Sequence, residues 1–283
     1  MPETLFDNEQ SPKMSVTTIS PWFGSNRMLA PIVGKTIGKC DWCGVVFAGG
    51  MAEVPYIQAR AMLVNDLHKD IINLARVVAH RESREWLVAA AQAKVFHPDE
   101  LADAQNACKT LPPPPINFAD PARALEYFVC VWMGRSANAG TDGEFDGKIA
   151  VRFTASGGGS NVRYRSAIDS LEAWSQTLMR CEFTVLDFRE FLKKCHDREG
   201  HAVYSDAPFP DAGDDYRHKF TVADHRDLAK RLSSFNVARV VARFYDHKLI
   251  RELYPESEWK WEYLSGRDQA NNDTKPEVLL TRN

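Results

Sequence analysis

Short apolar runs that break off at a turn or an acid recur along this chain and alternate with stretches of helical spacing. Trp42-Cys43-Gly44-Val45-Val46-Phe47 stops at Ala48-Gly49-Gly50, and Ala61-Met62-Leu63-Val64 stops at Asn65-Asp66. Further runs are Glu182 to Leu186, Ala202-Val203-Tyr204, Val237 to Ala242 and Glu277 to Leu280. Between them, Ile71, Ile72, Leu74, Ala75 and Val78 give Asp70 to Ala79 a helical period. Helices are also expected over Met28 to Val33, Phe188 to Cys195 and Ala223 to Leu232. Continuous apolar strands need cover on both faces, so the pattern predicts an α/β fold: a mostly parallel sheet with helices on each side.

The organisation is uneven. Residues 1–16 are polar and without period, which reads as a flexible N-terminal tail. The stretch 84–177 opens with a helical segment around Trp86 to Val95 and passes through Leu111-Pro112-Pro113-Pro114-Pro115, an extended connector. Asp120 can cap a helix that starts at Pro121. Gly- and Asn-rich loops follow, with Arg135, Arg152, Arg163 and Arg165 interspersed. This block reads as a largely helical insertion into a sheet domain made of residues 17–83 and 178–283.

Charge narrows the partners. Lys plus Arg is 35 against 38 Asp plus Glu, a net charge of −3. No global basic field exists, so any nucleic-acid contact must come from a local patch. No run approaches the ~18 apolar residues of a membrane span. The first residues lack a charged segment followed by an apolar one, so no signal peptide is expected. The six cysteines have no disulfide-framework spacing, and Cys40-Asp41-Trp42-Cys43 has no second pair to complete a zinc site. A reducing cytoplasm is the expected location, with no metal.

Ligands in open α/β sheets bind at the carboxyl ends of the strands, and three clusters fall there. Phe47-Ala48-Gly49-Gly50 offers backbone that a ligand can approach closely. Asp66 follows the second strand, where an acid can accept from ribose hydroxyls or an amine. Ala202-Val203-Tyr204-Ser205-Asp206-Ala207-Pro208-Phe209-Pro210 ends a third strand in an acid, a proline corner and an aromatic. That last arrangement suits holding a flat amino-bearing group against a ring while a carboxylate grips its N–H; a plain strand-ending turn has the same composition. The glycine patterns that bind dinucleotides or cradle triphosphates are absent.

In order and composition these segments resemble the Dam-type DNA adenine methyltransferases, from Pro21 to the C-terminus. The matching segments are Trp22 to Arg27, Phe47 to Gly50, Asn65-Asp66, the insertion and Asp206 to Phe209. Phe220-Thr221, Asp224-His225, Tyr245-Asp246-His247 and Glu277 to Thr281 are similar as well. The resemblance implies a Rossmann-like S-adenosylmethionine-dependent methyltransferase sheet, with 84–177 as the target-recognition region. It implies transfer of methyl to the N-6 amine of an adenine flipped out of double-stranded DNA. Asp206, Ala207, Pro208 and Phe209 would then be catalytic. Trp22, Asn26, Phe47, Gly49, Asp66 and Asp206 would hold S-adenosylmethionine, and Arg135, Arg152, Arg163 and Arg165 would contact DNA. Restriction or phage-defence components are conceivable companions.

The chain departs from the family at two places. Ala207 stands where the family usually has proline, and Asn26 where it often has lysine. Pro208 still biases Ala207 toward an extended backbone, so its carbonyl remains usable. Two alternatives stay open: a catalytically impaired relative that binds DNA or the methyl donor, and an amine methyltransferase acting on RNA.

Overall fold

A computed structural model of the chain describes residues 16–25, 27–134, 138–149, 159–211, 213, 215–264 and 276–283. Asn26, Arg135 and Arg152 lie outside the described residues. Seven strands form one sheet: β1 (Cys40–Val45), β2 (Ala59–Asn65), β3 (Cys181–Thr184), β4 (His201–Ser205), β5 (Arg239–Tyr245), β6 (Lys260–Leu264) and β7 (Glu277–Arg282). Their spatial order is β3-β2-β1-β4-β5-β7-β6. Pairings from β3 through β5 are parallel, while β7 runs antiparallel to both β5 and β6. The result is a mixed, mostly parallel α/β sheet, consistent with a Rossmann-like methyltransferase fold.

Strand alternation sends side chains to two separate cores. Met62, Val64, Tyr204, Val241 and Leu279 join one apolar cluster, and their neighbours Leu63, Val203, Val240 and Leu280 join the other. The first cluster is covered by α1 (Ala30–Ile37), α2 (Lys69–Ala79), α3 (Arg81–Ala93), α4 (Pro98–Thr110), α5 (Pro121–Met133) and α6 (Ser160–Leu178). The second is covered by α7 (Phe188–Leu192), α8 (Val222–Leu232) and α9 (Lys248–Leu253). Block 84–177 therefore packs its helices into the same core as one sheet face. Its Trp132 and Trp174 indoles donate to the carbonyls of Ile19 and Val16.

Several elements differ from expectation. The loops expected around Arg163 and Arg165 give way to α6, whose buried Tyr164, Ala167, Ile168, Leu171, Trp174 and Leu178 keep a helical period that the preceding glycines obscure. Helix α4 and strand β6 were also unforeseen; His97 caps α4 by accepting from Asp99 N–H. Strand β5 reaches Tyr245 rather than stopping at Ala242, which brings Arg243 inside the sheet. Strand β3 ends at Thr184 and α7 at Leu192, both short of their expected limits. The cap at Asp120 is as expected, accepting from Arg123 N–H at 3.0 Å. No described helix is long and apolar enough to cross a membrane.

Candidate active site

The carboxyl ends of β1, β2 and β3 are tied together by one side chain. Buried Asn65 donates to the carbonyls of Val46 and Leu186 and accepts from Leu186 N–H and the Thr184 hydroxyl. The turn after β1 is held at the same edge, with Ala48 N–H donating to Asn65 O. Gly49 adopts a φ of +46°, and a Cβ there would stand 2.8 Å from the Trp22 indole nitrogen. Gly50 is closed in too: a Cβ would collide with Ser20 O. These two positions need glycine because segment 18–24 lies directly on the turn.

Asp66 fastens that turn to the β2–α2 loop. One carboxylate oxygen accepts from Gly49 N–H at 2.8 Å, the other from His68 N–H at 2.9 Å. The Trp22 ring meets His68 edge-on at 5.3 Å. His68 Nε2 lies 2.8 Å from buried Glu144, which also accepts from Gly140 N–H and from Arg217 at 2.6 Å. Burial alone would lower the His68 pKa, but the Glu144 carboxylate outweighs it and the net shift is upward. Burial would likewise raise Glu144, yet His68, the Gly140 amide and Arg217 pull it down. Glu144 thus joins the insertion to the wall beside Trp22.

At β4 the ladder ends at Ser205, opposite Ala242, and the backbone leaves the sheet at Asp206. Arg243, 1% exposed, donates to Asp206 Oδ2 at 2.8 Å and to Glu277 at 2.8 Å. Burial raises the Asp206 pKa, Arg243 opposes this and Glu277 adds to it; the net is upward. Phe209 is mostly buried, with the Tyr245 ring edge-on at 4.4 Å and the Arg243 guanidinium 5.3 Å from its centroid. Tyr245 is the more open of the two rings, at 37% exposed.

One cavity of about 230 Å³ gathers these pieces. Trp22, Phe47, Gly49 and Asp66 line it together with Asp206, Ala207, Pro208 and Phe209. Of the arginines expected at DNA, Arg163 and Arg165 are exposed on the first turns of α6 and do not line the cavity. The Arg163 guanidinium sits 5.2 Å from the Trp132 ring centroid.

Sequence reasoning missed several lining residues. Asp187 and Phe188 follow β3 as an acid and an aromatic, the very pattern used to single out Asp206 to Phe209. Phe188 meets Phe47 at 5.9 Å and Phe220 at 5.6 Å, which makes one end of the cavity aromatic. Tyr216, His218 and Lys219 come from the segment after Phe209, and Glu53 from the β1–β2 connection; no pattern marked them. Arg243 could have been found as a lone charge in an apolar run. The Asp224 and His247 segments have a local explanation: Thr221 and Asp224 form a capping box on α8, and His247 caps α9. Chemically, the cavity pairs an aromatic end, suited to a flat ring, with an acid-rich end around Asp206. Among the described residues no group of three His, Cys, Asp or Glu is placed to hold a metal.

Compared with known proteins, the chain matches no family model and no curated sequence.

Proposed function

We propose that the chain transfers a methyl group from S-adenosylmethionine to the N-6 amine of an adenine flipped out of double-stranded DNA. The observation that carries this is the meeting of the Gly49–Asp66 turn and the Asp206–Phe209 strand end in one cavity. An adenine inside a duplex cannot reach a donor in such a cavity, so the base must leave the stack. Phe209 and Tyr245 offer it aromatic surface, worth about 1–3 kcal/mol per base in comparable contacts.

Arg243 occupies Asp206 Oδ2, leaving Oδ1 for one amine hydrogen while the Ala207 carbonyl takes the other. These acceptors draw the nitrogen lone pair out of the ring and aim it at the sulfonium methyl. With the donor bound, the lone pair would form the N–C bond as the C–S pair left with sulfur, and the surplus amine proton would leave by way of Asp206. In-line positioning supplies much of the rate. Trp22, Phe47, Gly49 and Asp66 form the donor wall, with Asn26 on the same segment as Trp22. Arg135, Arg152, Arg163 and Arg165 are the candidates for phosphate contact, and no base readout is assigned to them.

Expression in a host without adenine methylation, followed by single-molecule sequencing, tests this. N-6-methyladenine at one recurring short sequence is the expected result. Unmodified DNA from cells that accumulate folded protein would reject it.

A further inference from the structure

Glu53 is 7% exposed and lines the cavity that holds Asp206. It stands at the N-cap position of a 3₁₀ turn, Val54–Tyr56, yet its side chain does not cap that turn. The charged and titratable groups facing it are Asp206 at the end of β4, Arg243 on β5 and Glu277 on β7, with the Tyr204 hydroxyl on β4. Both ion pairs of Arg243 go to Asp206 and Glu277, and neither goes to Glu53. Two carboxylates thus hold the guanidinium directly, and Glu53 feels it only through space.

The Tyr204 hydroxyl, buried with no hydrogen-bond partner, stands in the same electrostatic neighbourhood: burial, then Asp206 and Glu53, push its pKa up. Burial first, then the Asp206 carboxylate, raise the Glu53 pKa to about 7, against the opposing pull of Arg243 and a backbone hydrogen bond.

We propose that Glu53 is the counter-charge for a cationic group of the bound ligand, a sulfonium or a primary ammonium, in the cavity beside Asp206. This rests on reading the cavity as the S-adenosylmethionine site. Arrival of the cation favours the carboxylate, so binding expels a proton. Affinity then rises with pH through the Glu53 range, by about tenfold between pH 6 and pH 8 for one group titrating near 7.

The test is calorimetric titration of the full chain and of Glu53→Gln with S-adenosylmethionine and with S-adenosylhomocysteine, in buffers of different ionisation enthalpy. The native chain should release close to one proton at pH 6. Glu53→Gln should release none, bind the methyl donor at least tenfold more weakly at pH 8, and lose the pH slope. A loss confined to S-adenosylmethionine identifies the sulfonium as the partner, and an equal loss for both ligands identifies the ammonium. If the native chain binds and a folded Glu53→Gln stays within twofold with the same proton release, the inference is overturned while the donor site stands. If the native chain binds neither ligand, the functional reading fails and takes the inference with it. Should Glu53→Gln not fold, a flat affinity from pH 6 to pH 8 in the native chain overturns the inference.

Discussion

Asp66 and Asp206 give the same signal in the sequence, an acid at the end of an apolar strand, and the fold uses them in opposite ways. Asp66 meets two backbone N–H groups, so its charge is matched by fixed neutral dipoles and its role is to lock the Gly49 turn onto the β2–α2 loop. Asp206 meets a buried guanidinium that is itself shared with Glu277, in surroundings that raise its pKa. The first acid is built into the scaffold. The second is held in tension by burial and by like charges. An acid settled by backbone donors shapes a pocket, whereas one left in an uneven charge set is available for chemistry.

Arg243 gives the sharpest way to break this contrast. Arg243→Met would leave the partly buried Asp206 and Glu277 without their cation, and stability should fall by up to about 3–5 kcal/mol, the scale for removing one partner of a buried pair. Urea unfolding monitored by circular dichroism reads this directly. A loss below about 1 kcal/mol would show that the two acids are neutral in the native protein.

Asp206→Asn keeps the shape but removes the carboxylate. Under the proposed reaction, turnover should drop by about 10²–10³-fold, as when a principal electrostatic contact to a transition state is removed. S-adenosylmethionine affinity should change far less. A radiolabel methyl-transfer assay with near-normal turnover would place the chemistry elsewhere.

Asp66→Ala should have the smallest effect of the three and of a different kind. It removes the acceptor of two amides, so the protein should lose roughly 1.5–3 kcal/mol of stability, the worth of hydrogen bonding to a charged group. Donor affinity should follow through the loosened Gly49 turn. If affinity falls while the unfolding midpoint holds, Asp66 touches the ligand rather than the scaffold, and the contrast with Asp206 narrows.

Legibility tracked how local each signal was. The strand ends at Gly49, Asp66 and Asp206 were readable because a turn, an acid and a proline are neighbours in the chain. The Asp120 cap was readable for the same reason. Helix α6 was misread as loop because glycines and arginines precede a period that becomes clear only from Tyr164 onward. Arg243 went unnoticed because the apolar run before it looked complete, and what keeps a guanidinium inside a sheet is a pair of acids 34 and 37 residues away.

Alternation of apolar strands with helices determined from sequence alone that the chain is α/β, and motif order determined which strand ends were worth watching. Both depend on neighbours in the chain, where backbone geometry and side-chain period act. Tertiary structure decided that the insertion packs into the core of one sheet face. It decided that Glu144 ties that insertion to the wall beside Trp22. It also decided that Glu53, Asp206 and Glu277 face a single buried arginine. Those outcomes rest on burial and on charges brought close across long stretches of chain, and neither quantity exists until the strands have been ordered in the sheet.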